Sequence, residues 1–142
     1  MKHNLHELIK SFFNAVEAKD VDTVVAFFQD DAEFLDPHYP NVHMKGKDDI
    51  YKGIRWGLNG VKTFDFSEMN YFENKNGSSA SIEYDTRLEL KNGQKLRYQQ
   101  VFIIETKEGK ISRCQAYETY GPHGMHKVML MVTRLIHRFA KG

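Results

Sequence analysis

The stretch Phe27-Phe28-Gln29-Asp30-Asp31-Ala32-Glu33-Phe34-Leu35-Asp36-Pro37-His38-Tyr39-Pro40 decides the fold, because within it a helical pattern gives way to a short strand that ends in a carboxylate held before a proline. Alternation through Ala32, Phe34 and Asp36 puts these side chains in one row, and Asp36 closes the row. Pro37 and Pro40 then forbid regular continuation. An aspartate delivered by rigid backbone to a place rimmed with aromatics is one way for a small domain to build a proton-transfer or ligand-orienting group.

Upstream, Leu5, Leu8, Ile9, Phe12, Phe13 and Val16 recur at helical spacing and predict a first helix over residues 4–18. Asp20 reads as the N-cap of a second helix through Val21, Val24, Val25, Phe27 and Phe28, which stops by Asp30-Asp31. Downstream, a loop from Asn41 to Gly46 leads to a third helix near Lys47 to Leu58, with Ile50, Ile54 and Leu58 inward. From Lys62 the period becomes two. Phe64 and Phe66 open one strand, Ala80 to Leu90 alternate in the next, Leu96 to Ile104 continue, and Ile111 to Tyr120 form the last. Asn92-Gly93 is a hairpin signal. Three helices followed by a four-stranded antiparallel meander predict an α+β domain, with the helices covering one face of a curved sheet.

The chain has 142 residues, 41% hydrophobic and 27% charged, enough for one domain with a substantial core. Its formal net charge of +1 argues against general nucleic-acid binding, which needs a clear cationic excess. The lone Cys114 excludes an intramolecular disulfide. The first residues interleave Lys2, His3, Glu7 and Lys10 with apolar ones, unlike a signal peptide, and no stretch is apolar enough to span a bilayer. A cytoplasmic protein is the expectation.

The order of elements, the segment from Asp20-Val21-Asp22 to Asp36-Pro37 and the turn Glu108-Gly109-Lys110-Ile111 together resemble the nuclear transport factor 2-like superfamily, in particular its SnoaL-like and ketosteroid isomerase-like branches. The resemblance covers residues 4–120. It implies a cone-shaped curved antiparallel sheet wrapped around N-terminal helices, a cystatin-like α+β roll, enclosing a deep pocket for a small apolar molecule, commonly as a homodimer and with no cofactor. The superfamily hosts isomerases, cyclases, dehydratases, epoxide hydrolases and non-catalytic binding proteins, so the fold alone assigns no reaction.

Carried over residue by residue, Asp36 matches the aspartate that shuttles a proton beside a carbonyl in ketosteroid isomerases. Phe12 stands where those isomerases carry the tyrosine that donates to the developing oxyanion, and Gln99-Gln100 stand where a partner acid is expected. Each lost donor removes about 3–4 kcal/mol of transition-state stabilisation. Steroid isomerisation by that route is therefore not expected.

Other polar groups supply alternatives. Cys114, Ala116 and Glu118 share a face of the last strand, which by the resemblance looks into the cone, so that Asp36 and Glu118 would form a carboxylate pair. His38, Tyr84, Tyr98 and Gln100 are candidates to orient or donate to a ligand, with Phe12, Phe34, Tyr39 and Trp56 as walls. The plainer roles are a turn cap for Asp36, a solvated strand end for Glu118, a small buried residue for Cys114 and core packing for the aromatics. An epoxide hydrolase-like site would need an arginine beside the acids, and alternation turns Arg87 and Arg97 away from the pocket. His38 and His43 fit no standard metal-ligand spacing, so no metal is expected.

After Gly121-Pro122-His123-Gly124, apolar residues Met125, Val128, Met129, Val132, Leu135, Ile136 and Phe139 recur at helical spacing among Lys127, Arg134, Arg138 and Lys141. Residues 1–122 read as the cone domain and 123–142 as an added amphipathic basic helix. The helix is expected to dock on its own domain or on a dimer mate, because such a stripe is a liability in water; a lid over the pocket mouth and binding to an anionic membrane are the lesser expectations.

Overall fold

Asn4 starts the first helix by accepting a hydrogen bond from the Glu7 backbone N–H at 3.3 Å. Asp20 starts the second, accepting from the Thr23 backbone N–H at 3.1 Å and from the Thr23 hydroxyl at 2.6 Å. These local bonds satisfy amides that a helix leaves open in its first turn. The computed structural model describes residues 4–118 and 124–140. In chain order these form α1 (Leu5–Glu17), α2 (Val21–Ala26), β1 (Phe28–Leu35), β2 (His43–Lys45), α3 (Gly46–Gly60), β3 (Val61–Glu73), β4 (Ser79–Leu90), β5 (Lys95–Lys107), β6 (Lys110–Glu118) and α4 (Gly124–Ala140). Tyr120, where the last strand is expected to end, the segment Gly121-Pro122-His123 and the Met125 side chain lie outside the described residues.

The fold is α+β, with a curved, unclosed sheet in the order β2-β1-β6-β5-β4-β3. The strands β3 to β6 form the expected antiparallel meander. Between β5 and β6, Glu108 and Gly109 both take positive φ, 53° and 75°, as a tight hairpin turn requires.

Two expectations need correction. The second helix ends at Ala26, and Phe28 already belongs to β1, which lies parallel to β6 with Phe28 opposite Ile111 and Phe34 opposite Cys114. The Ile111 amide donates to the Phe27 carbonyl at 2.8 Å. An exposed edge on β6 thus captures two phenylalanines whose spacing suits a helix equally well, and tertiary pairing overrides the local pattern. The segment taken as a loop contains β2, which pairs antiparallel with β1 and buries Met44 against Phe34. The sheet is therefore mixed and six-stranded.

The core lies between the sheet's concave face and the helices. Ile9, Phe12 and Phe13 of α1, Val24 of α2, Ile50 and Ile54 of α3, and Ile82, Phe102 and Ile104 of the sheet are all buried. Phe28 is fully buried, and its removal to alanine would cost about 3–5 kcal/mol. Gly53 in α3 faces the Met44 side chain so closely that a Cβ there would collide with the sulfur. No helix among the described residues is long and apolar enough to cross a membrane.

Candidate active site

Between the helices and the meander the core opens into a cavity of about 380 Å³. Its wall is aromatic, from Phe12, Phe34, Tyr39, Trp56, Phe64, Phe66, Tyr98 and Phe102, with aliphatic side chains of α3 and of β3 to β5. Asp36, His38, Thr86 and Gln100 bring polar atoms to it. Trp56 is 55% exposed and stands at the rim. Within an apolar wall these few polar groups would orient a ligand, and the rest would bind it by desolvation.

Asp36 is placed by the end of β1. Its backbone N–H donates to the Val42 carbonyl at 3.0 Å, its carbonyl accepts from the Tyr39 N–H at 3.2 Å, and its Oδ1 accepts from the His38 N–H at 2.9 Å. The last bond is the aspartate turn that the sequence suggests, and it also fixes the carboxylate, which is only 6% exposed as a residue.

The same turn swings the His38 ring toward β6. Its Nδ1 lies 2.5 Å from Glu118 Oε1 and 3.3 Å from Asp36 Oδ1. Glu118 is not on the cavity wall; it stands behind His38, which is. With Nδ1 turned to two carboxylates it carries a proton, leaving Nε2 for other partners. Burial alone would lower the His38 imidazolium, but the hydrogen bond and charge of Asp36, joined by the charge of Glu118, outweigh it and hold the pKa above that of an ordinary histidine. Tyr98 lies beside the imidazole with ring centroids 5.2 Å apart.

On β5, where Gln100 stands opposite Glu118 of β6, Gln100 Oε1 accepts from the fully buried Thr86 hydroxyl at 2.9 Å. With its oxygen accepting, Gln100 brings an N–H donor to the site. Tyr39 packs between Phe34 and Trp56 at centroid distances of 5.5 and 5.9 Å. Burial first, then the charge of Asp36, drives its phenol far above the ordinary tyrosine range, so it stays protonated.

The sequence-derived candidates divide into two sets. Asp36, His38, Phe12, Phe34, Tyr39, Trp56, Tyr98 and Gln100 meet at the cavity. Tyr84, Cys114 and Ala116 do not line it. Tyr84 is packed against Phe13, Phe66 and Phe102, while Cys114 and Ala116 are buried in β6, and burial pushes the Cys114 thiol well up. Phe64, Phe66, Thr86, Leu88 and Leu96 were missed as wall residues, although strand alternation puts them in the same inward row as Tyr98 and Gln100. Phe12 offers no donor and sits edge-on to Phe13, Phe27 and Phe28.

Arg97 grips Asp85 through Nε and Nη2 at 3.1 and 2.9 Å, with Arg87 Nη2 at 3.5 Å from the same carboxylate, all outside the pocket. His43 is held by Glu33 at 3.0 Å and does not join His38. One donor atom each from Asp36, His38 and Glu118 lies within 4.8 Å of the others, a spacing that would admit a cation as well as a shared proton.

A curved, unclosed α+β sheet with helices against its concave face is the arrangement of the nuclear transport factor 2-like fold. The model of the SnoaL-like domain matches residues 9–114, and the chain belongs to that family. Solved structures agree on the fold. An NTF2-like protein of unknown function from Burkholderia pseudomallei is 16% identical, with 82% of this chain and 91% of that one covered at a TM-score of 0.71. The epoxide hydrolase/cyclase-like enzyme SalBIII, which acts in pyran ring formation in the polyether salinomycin, is 18% identical, with 86% and 92% covered at 0.70. TerC, co-crystallised with polyporic acid, is 13% identical, with 82% and 92% covered at 0.69. No curated protein sequence matches the chain.

Proposed function

We propose that this SnoaL-like protein is a cofactor-independent enzyme that moves a proton on a small apolar carbonyl compound, in the manner of an isomerase, lyase or cyclase. The observation that carries the reading is the contact of His38 Nδ1 with both Asp36 and Glu118 at the polar end of an otherwise apolar cavity. Asp36 takes the proton from carbon beside the carbonyl and returns it. His38, held cationic by the two acids, donates from Nε2 toward the developing oxyanion, a task for which Phe12 has no group. Gln100 supplies a further N–H. Two neighbours support a small-molecule pocket, since TerC was co-crystallised with polyporic acid and SalBIII has a role in pyran ring formation.

A second reading, a non-catalytic binder, is favoured by one observation: the bond from the His38 amide to Asp36 Oδ1 already accounts for an aspartate before Pro37. Deuterium exchange at the α-carbon of β-tetralone, followed by proton NMR, separates the two. Wild-type protein should accelerate exchange, and Asp36→Asn should fold but slow it by roughly a hundredfold or more, because the amide keeps the shape without the acceptor. Binding of the ketone with no exchange, or equal rates in both proteins, selects the binder.

The chain is also proposed to pair with a second copy through the outer face of its sheet. There exposed Tyr117 of β6 stands opposite half-buried Val101 of β5, with Ile103 two residues along the same strand, an apolar patch of the kind that subunit contact removes from water.

A further inference from the structure

The expected docking of the terminal helix on its own domain is not what its described residues show. Val128, Met129, Val132, Leu135, Ile136 and Phe139 of α4 are between 50% and 78% exposed. At 3.6 residues per turn these six fall on one half of the helix circumference, while Arg134, His137 and Arg138 fall on the other. Leu130, placed among the cations, is the described side chain of α4 that is partly covered, so the apolar half is turned to solvent.

From these observations we infer that α4 lies on anionic lipid surfaces. Every acidic residue of the chain stands at or before Glu118, so Lys127, Arg134, Arg138 and Lys141 have no carboxylate in the tail to neutralise them. A helix with an apolar half, a phenylalanine near its end and a polar half of cations and histidines matches the demands of the boundary between headgroups and acyl chains. The apolar side chains enter the boundary and the cations remain among the lipid phosphates. A second copy of α4 is the poorer partner, because it would cover the apolar half but bring no acid to the cations, whereas an anionic surface answers both halves. No described helix is long and apolar enough to cross a membrane, and the cations of α4 keep it in the plane of the bilayer surface.

Flotation of the full chain with vesicles tests this. Binding should be strong to phosphatidylcholine mixed with phosphatidylglycerol, weak to phosphatidylcholine alone, and reduced by added salt. Arg134→Glu/Arg138→Glu should lower partitioning by roughly tenfold or more, and Leu135→Ser/Phe139→Ser should abolish it, both with unchanged thermal melting because the altered side chains are exposed. Equal binding to neutral and anionic vesicles, or none to either, would overturn the inference. So would a wild-type dimer that ignores vesicles and that Leu135→Ser/Phe139→Ser splits, which would make this face a contact between copies.

Discussion

His38 and Glu118, on a turn after β1 and at the end of β6, meet with Nδ1 and Oε1 2.5 Å apart, and Asp36 lies on the other side of the same imidazole nitrogen at 3.3 Å. The contact makes the histidine the link between a carboxylate on the cavity wall and one behind it. Its protonation state is then a property of the folded chain, since neither carboxylate is a fixed neighbour once the sheet opens.

The folded pKa of His38 is raised above 6.5, the value expected of the unfolded chain. The native state therefore binds more protons than the unfolded state between the two values. The contribution to stability is fully present below 6.5 and is lost as pH rises through the folded pKa. Urea midpoints measured across that window should fall with rising pH in wild type and flatten in His38→Gln. Glu118→Gln should lower the His38 pKa, read directly from imidazole nitrogen shifts in an NMR titration; an unmoved value would mean that Glu118 does not charge the ring.

Gly57 touches Tyr39 so closely that a Cβ would stand 2.7 Å from the phenol oxygen and 2.8 Å from Cε1. In Gly57→Ala the ring must move, while alanine favours the helix by about 1 kcal/mol. We expect little change in melting temperature and a clear loss of ligand affinity, because Tyr39 is part of the cavity wall. Isothermal titration with β-tetralone beside a thermal melt separates the two effects.

Thr86→Val keeps the shape of a fully buried side chain and removes the hydrogen bond to Gln100. A buried amide oxygen that loses its donor costs about 1–3 kcal/mol. Chemical denaturation should report a loss in that range, and Thr86→Ser should recover most of it.

If the outer face of the sheet pairs two copies, light scattering should return twice the 16.6 kDa chain mass. Tyr117→Glu, which puts a charge on the patch opposite Val101, should return the single-chain mass without unfolding. A wild-type monomer would remove this proposal.

The sequence by itself determined what local chemistry can enforce. Helix starts follow from Asn4 and Asp20, whose side chains meet amides three residues on. The four meander strands and the inward row that holds Tyr98 and Gln100 follow from a period of two, which also turns Arg87 and Arg97 to the outside. Asp36 reads as the end of a strand because Pro37 permits nothing else. Only the tertiary structure decided the rest. Phe27 and Phe28 have the same spacing for helix or strand, and the free edge of β6 chooses between them. Once β1 lies parallel to β6, Phe34 stands beside Cys114 and the turn after β1 carries His38 to Glu118. That pairing joins segments far apart in the chain, so no local pattern encodes it; it follows from satisfying the backbone of a sheet edge and burying the phenylalanines that sit on it.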